Sequence, residues 1–235
     1  MVLADYHVHT NWSHGRQTVE QAAERAKELG LEAIAITDHA RKGSIWVPEY
    51  ASHLETTKKR VSTPLIISVL EVKVLDHDGQ IDLNPEWING LDMVLVAVHN
   101  IPGITREKID ALSDRLPHLY AELLISAIKN VELPVPTIMA HPGKWLLENN
   151  LAFIPKDYWD EIAKTAKRHK KIIEYNTSCP LPENFLEILL SNDVKFSVGS
   201  DAHCADEIGK GIPSATKLVG RSLVKPWELT GNGKA

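Results

Sequence analysis

Asp5-Tyr6-His7-Val8-His9-Thr10-Asn11-Trp12-Ser13-His14-Gly15 is the stretch on which the reading of this chain turns. The apolar run before it, Val2–Asp5, reads as a strand. Alternate residues of a strand share a face, so His7 and His9 can grip one ion together. An H-x-H string alone is weak, because two surface or capping histidines would produce it equally well. It gains weight because the pattern recurs. Thr37-Asp38-His39 closes a second apolar run, Glu71 a third, His99 a fourth and His141 a fifth. Asp201 and His203 follow the last run after Gly199-Ser200.

Working outward, strand-like runs fall at Val2–Asp5, Ala33–Thr37, Leu65–Glu71, Met93–His99, Thr137–Ala140, Lys171–Tyr175 and Lys195–Val198. Helical patterns lie between them. Thr18–Leu29 has an apolar face and stops at Gly30. Lys108–Lys129 carries Ile109, Leu112, Leu116, Leu119, Leu123, Leu124 and Ile128 near helical spacing. Asp157–His169 and Glu183–Leu190 are shorter candidates, and Asp76–Asn84 reads as a hairpin-type excursion. Strand then helix, repeated about seven times, predicts a parallel α/β architecture. A barrel of such strands brings every strand end to one rim. Imidazoles and carboxylates gathered there describe a metal site with more than one ion. Burying so many of them without a cation would be costly. His53, His77, His118 and His169 lie away from strand ends and read as surface residues.

The composition sets bounds on this reading. The 235 residues suit one α/β barrel domain spanning 1–235, with 230–235 a polar tail. A 43% hydrophobic content supports a sizeable core. The net charge of −5 gives no electrostatic reason for tight binding to long nucleic acid. Cys179 and Cys204 form no CxxC, which points to a reducing compartment. No basic start, long apolar leader or membrane-length run is visible. A soluble cytoplasmic protein is the expectation, and the oligomeric state is left open.

The sequence resembles the PHP (polymerase and histidinol phosphatase) phosphoesterases. The matching strings are D-Y-H-V-H-T-N-W-S-H-G at 5–15, I-T-D-H at 36–39, L-E-V at 70–72, A-V-H-N at 97–100, A-H-P-G at 140–143, E-Y-N-T-S at 174–178 and G-S-D-A-H-C-A-D-E-I-G at 199–209. The resemblance implies a distorted (β/α)7 TIM-like barrel with a trinuclear metal site at the C-terminal ends of the strands. It assigns His7, His9, Glu71 and Asp201 to a first ion. Glu71 bridges to a second, completed by His99 and His141. His14, His39 and His203 hold a third. Many family members have Asp where His14 stands. The extra imidazole favours zinc, manganese or iron over magnesium.

The chemistry follows from such a site. Two close cations lower the pKa of a bridging water, making hydroxide available near neutral pH, and they neutralise phosphoryl oxygens. No protein nucleophile is required, so Ser13 and Cys204 need no catalytic role. Cys204 reads as a small buried residue. Glu71, Asp201 and His203 are the catalytic candidates among the ligands. Arg16, Arg41 and Lys144 follow ligand motifs on rim loops and are candidates for binding substrate phosphate, against a plain reading as solvated cations. Asn176 ends the sixth strand and is a candidate for a substrate or ligand hydrogen bond. Asp5 and Asp38 are candidate orienters of ligand imidazoles. Trp12, Trp46 and Trp145 either wall a pocket or pack on the barrel.

The expected activity is hydrolysis of a small-molecule phosphomonoester. A nuclease or nucleotide phosphodiesterase of the same family is the alternative, as is a noncatalytic metal-stabilised module. Every ligand position is filled here, which weighs against the module. A metal-dependent amidohydrolase also opens with H-x-H. That group usually relies on a strand-borne lysine or other bridging ligand at the fourth strand. Here the fourth strand ends in His99, and Glu71 takes the bridging position.

Overall fold

Alternation along the strands builds the barrel. The computed structural model describes residues 2–230. Its strands are β1 Ala4–Val8, β2 Ala33–His39, β3 Leu65–Lys73, β4 Met93–Ala97, β5 Thr137–Ala140, β6 Ile172–Asn176 and β7 Lys195–Gly199. All neighbouring pairs are parallel, in the order β1-β2-β3-β4-β5-β6-β7. Ala33, Ala35, Ile67, Val69, Met93, Leu95, Ile138 and Ile172 pack with one another inside the ring. Ile34, Ile36, Ile66, Leu70, Val94, Val96, Met139 and Ile173 point outward against the helices. Continuing the inward parity of β2 and β3 leads to His39 and Glu71 at the mouth. The same parity carries β4 to His99, two residues past its end.

The helices are α1 Val19–Glu28, α2 Val47–Arg60, α3 Arg106–Ile109, α4 Leu116–Asn130, α5 Lys144–Glu148, α6 Trp159–Arg168, α7 Glu183–Ser191, α8 Ile212–Val219 and α9 Pro226–Leu229. No helix among the described residues is long and apolar enough to cross a membrane. The expected helix over Lys108–Lys129 is broken in two, because Pro117 fits the first turn of α4 but not the middle of a continuous helix. The α2 helix escapes periodicity because its buried stripe is only Val47, Tyr50, Leu54 and Thr57 among charged neighbours. The excursion after β3 is present, with Val74 bridging Ile81 in antiparallel fashion. Of the expected tail, residues 231–235 lie outside the described residues.

β1 runs from Ala4 to Val8, later than the expected Val2–Asp5, so His7 is inside the strand. Its register against β2 shifts between Asp5 and Val8. That extra residue lets Ala4 and Tyr6 face the barrel interior while Val8 faces outward. His7 and His9 then share the mouth.

The ring closes between the ends of β7 and β1. Asp201 N–H donates to His7 O at 2.8 Å, and His9 N–H donates to Ala202 O at 2.9 Å. Beneath them, buried Asp5 accepts from Ser200 N–H (2.9 Å), Ser200 Oγ (2.6 Å), Gly209 N–H (2.9 Å) and His7 N–H (3.3 Å). Burial pushes the Asp5 carboxyl group up, against the pull of these donors.

Asp5→Ala should leave several buried donors without partners and cost about 3 kcal/mol of stability. Urea unfolding followed by circular dichroism measures this. A shift below about 0.5 kcal/mol, the range of ordinary surface changes, would show that Asp5 does not hold the seam.

Candidate metal centre

His7 and His9 are both fully buried, and their Nε2 atoms lie 3.0 Å apart. Glu71 Oε2 is 3.2 Å from His7 Nε2 and 3.4 Å from His9 Nε2. Asp201 Oδ1 is 3.6 Å and 3.3 Å from the same two atoms. The other oxygen, Glu71 Oε1, faces a separate pair: His99 Nε2 at 3.0 Å and His141 Nε2 at 2.9 Å. One carboxylate therefore presents its two oxygens to two sets of imidazoles. In a third set, His14 Nε2 and His203 Nε2 are 2.7 Å apart. His39 stands between sets. Its ring stacks on His9 and on His14, both at 4.7 Å, and its Nδ1 is 3.3 Å from Glu71 Oε2.

The local backbone is shaped to this cluster. His141 and Asp201 adopt positive φ, 28° and 60°, which side chains rarely do without compensation. Gly199 leaves room where any Cβ would run into the Glu174 carboxylate and His7. His14 comes from a loop, but the loop is pinned. Asp38 accepts from Thr10 N–H (2.9 Å), Thr10 Oγ (2.6 Å), Ser13 N–H (3.1 Å) and Ser13 Oγ (2.6 Å). A Cβ on Gly15 would lie 2.5 Å from His9 O, so only glycine lets the loop close over this strand end.

Asp5 and Asp38 thus hold backbone and hydroxyls rather than the imidazole rings expected of them. The imidazole orienter is Glu174, to which the sequence reading gave no role. Its Oε1 is 2.7 Å from His7 Nδ1, so the ring donates there and leaves Nε2 free for an ion. Its Oε2 accepts from His141 N–H at 2.6 Å. Glu174 lies two residues before Asn176 on β6, so strand periodicity could have found it. Asn176 is fully buried; its Nδ2 approaches Glu174 Oε2 (3.3 Å) and Asp201 Oδ2 (3.4 Å). Of the two contacts expected of it, substrate or ligand, the side chain makes the ligand-side one, to carboxylates behind the site.

On the rim, Lys144 pairs with Asp201 Oδ2 and lines the central cavity of about 380 Å³ together with Trp145. Arg41 lines a neighbouring cavity of about 480 Å³. The Arg16 side chain is exposed and lines neither; its backbone N–H donates to His203 O at 2.8 Å. Trp12 and Trp46 pack against Tyr50 at 5.9 Å and 5.5 Å. Cys204 is half-buried rather than buried.

The electrostatics suit cation binding. Burial opposes ionisation of Glu71, but His7, His141 and His99 outweigh it and hold the carboxyl well below its usual range. Burial likewise opposes ionisation of Asp201, and His7, His9, His141 and Lys144 pull it down. Burial and neighbouring imidazoles push His39 down to about 3, despite Glu71, so it stays neutral and its lone pair remains available. Buried His9 Nδ1 has no hydrogen-bond partner among the described residues. Ionised carboxylates beside converging imidazoles are the donor set of a borderline transition metal. The groupings able to hold an ion include His7, His9 and Asp201; Glu71, His99 and His141; His9, His14 and His203; and His9, His39 and Glu71.

A family model described as PHP domain matches residues 5–178. A probable phosphatase of Caldicellulosiruptor saccharolyticus is 33% identical over 237 aligned positions, covering 95% of this chain and 87% of the relative. A probable phosphatase of a Thermoanaerobacter species is 28% identical, covering 93% and 85%. Among solved structures, histidinol phosphate phosphatase from Lactococcus lactis, complexed with zinc, L-histidinol and phosphate, superposes with a TM-score of 0.72. It is 18% identical and covers 94% of this chain and 93% of that one, a likeness of fold.

Glu174→Gln should keep the barrel but weaken ion binding by roughly 10–100-fold, the usual cost of losing a carboxylate behind a histidine ligand. Metal content after dialysis against a graded chelator series checks this, with circular dichroism as the folding control. Wild-type retention would remove Glu174 from the support of the site.

Proposed function

The chain belongs to the PHP domain family of metal-dependent phosphoesterases, and we propose that it is a phosphatase acting on small-molecule phosphomonoesters. The observation that carries this reading is the division of Glu71, with Oε2 toward His7 and His9 and Oε1 toward His99 and His141. Such a carboxylate suits two neighbouring ions. The relatives named as probable phosphatases support the reaction class, and the Lactococcus protein's complex with phosphate and L-histidinol supports a small substrate. Residues 2–230 would work as one domain. The two free cysteines fit a reducing, cytoplasmic setting.

In this reading His7, His9, Glu71 and Asp201 hold the first ion, Glu71, His99 and His141 the second, and His14, His39 and His203 the third. The nitrogen-rich third set fits zinc, manganese or iron. Bound ions of this kind supply an activated water near neutral pH and neutralise phosphoryl charge. The chain's own residues do the rest. Glu174 and Asn176 fix the inner carboxylates and His7 behind the site. Lys144 places a cation at the mouth beside Asp201, where it can meet a phosphoryl oxygen. Arg41 offers a second cation on the neighbouring wall.

The purified protein should carry about three transition-metal ions per chain, the number its three donor sets can hold. Elemental analysis giving one ion or none after gentle purification would overturn the trinuclear assignment. Hydrolysis of p-nitrophenyl phosphate should be measurable, vanish on chelation and be abolished in Glu71→Gln. Retained activity in that variant would remove Glu71 as the bridge.

His14→Ala should lower the metal content by about one ion per chain, because one imidazole of the third set is gone. The other two sets remain whole, so partial activity should persist. Elemental analysis paired with turnover of p-nitrophenyl phosphate reads both. Loss of all ions, or an unchanged content, would show that the sets are divided differently.

A further inference from the structure

A substrate with its phosphoryl group in the central cavity would place its remainder in a flanking space. One such space, about 750 Å³, shares Lys144, Asp201 and His203 with the centre and continues to Thr177, Ser178 and Lys210. Among the described residues, His203 is the one aromatic ring that lines it, and no large aliphatic side chain does. A nucleobase or aromatic ring would find only the His203 imidazole to stack on, and that ring belongs to the donor cluster. The wall is hydroxyl-bearing and carries two cations, Lys144 and Lys210, and two carboxylates, Asp201 and Glu207.

Those cations differ in their commitments. Lys144 is paired with Asp201. Lys210 is exposed and makes no ion pair among the described residues. Glu207 stands in the same wall, but its Oε2 already accepts from His203 N–H (2.8 Å) and Cys204 N–H (3.2 Å). The segment that carries Lys210 is fixed by its backbone. Thr177 Oγ donates to Lys210 O at 2.6 Å, Lys210 N–H donates to Glu207 O at 3.1 Å, and Gly209 N–H donates to buried Asp5 at 2.9 Å. Less ordering therefore remains to be done when the ammonium meets an anion.

We propose that this cavity is a subsite for a second anionic group, held by Lys210 with Lys144 alongside. The preferred substrates are then small aliphatic phosphomonoesters that also carry a carboxylate or a second phosphate. This rests on the phosphatase reading above and names the substrate class within it. A cationic leaving group would meet Lys210, which has no ion-pair partner among the described residues, and be disfavoured.

The test compares kcat/KM of the metal-loaded enzyme on matched pairs. Glycerol 3-phosphate and 3-phosphoglycerate differ by one carboxylate. Fructose 6-phosphate and fructose 1,6-bisphosphate differ by one phosphate. O-phosphoethanolamine supplies the cationic case. The more anionic member of at least one pair should be preferred, and which pair shows it tells carboxylate from phosphate. O-phosphoethanolamine should be the poorest substrate. In Lys210→Gln that preference should fall by roughly tenfold, mainly through KM, as expected on losing one charge-assisted contact. The contacts that hold this segment are made by the backbone at Lys210, so the variant should fold; circular dichroism verifies it. Equal turnover within both pairs, a preference that survives Lys210→Gln, or one lost only in Arg41→Ala would overturn the proposal. If p-nitrophenyl phosphate is hydrolysed while no preference exists, the subsite alone fails. If no phosphomonoester is hydrolysed, the phosphatase reading fails with it.

Discussion

Glu71 is a carboxylate with 1% exposure, surrounded by five imidazoles, those of His7, His9, His39, His99 and His141, each within 3.4 Å of one of its oxygens. Moving an ionised carboxylate out of water is costly unless compensating charge and hydrogen bonds meet it. The rest of the mouth is organised around that requirement. Four separate strand ends or the loops after them, those of β1, β2, β4 and β5, must deliver these imidazoles to one point, and a closed ring of parallel strands does so. A flat sheet would spread the same residues along an edge.

Closing the ring sets a second constraint at the seam between β7 and β1. There Asp5 gathers donors from Ser200, Gly209 and His7. The seam also fixes Asp201, whose positive φ turns Oδ1 toward His7 and His9 while Oδ2 meets Lys144 and Asn176. A residue in that conformation persists only when its surroundings over-determine it. Here structural and functional demands fall on the same few residues, so substitutions at the seam should not leave the site untouched.

Around this buried centre the mouth is asymmetric. Hydroxyls and lysines line one flank, Arg41 and Lys73 lie on another, and Trp145 stands against the middle. The buried cluster suits the metal-dependent phosphoesterase family to which the chain belongs. The flanks differ from one another in charge, and discrimination among substrates comes from contacts beyond the reacting group.

Much of the barrel and of its donor set was legible in the sequence, because period-two apolar runs ending in His, Glu or Asp are local patterns. β2, β3 and β5 begin where the apolar runs predict, and Glu71, His99 and His141 meet as the resemblance implied. The break before α4 is equally local, since Pro117 marks a first helical turn within the run of helical spacing. What the sequence could not state is which side chains touch. Glu174 looks like one more strand residue until β6 lies beside β5 and β7 and β1 closes the ring, bringing His7 and His141 to its two oxygens. Asp5 and Asp38 look like ligand orienters until the register shift in β1 and the loop over residues 10–15 turn them to backbone donors. Arg16, Arg41 and Lys144 are equal candidates on paper, yet only the latter two line the mouth cavities. The sequence by itself determined the element types and the ligand inventory, since these depend on neighbours along the chain. The partnering of carboxylates, the second layer and the flanks of the mouth depend on residues brought together over more than a hundred positions, and only ring closure decided them.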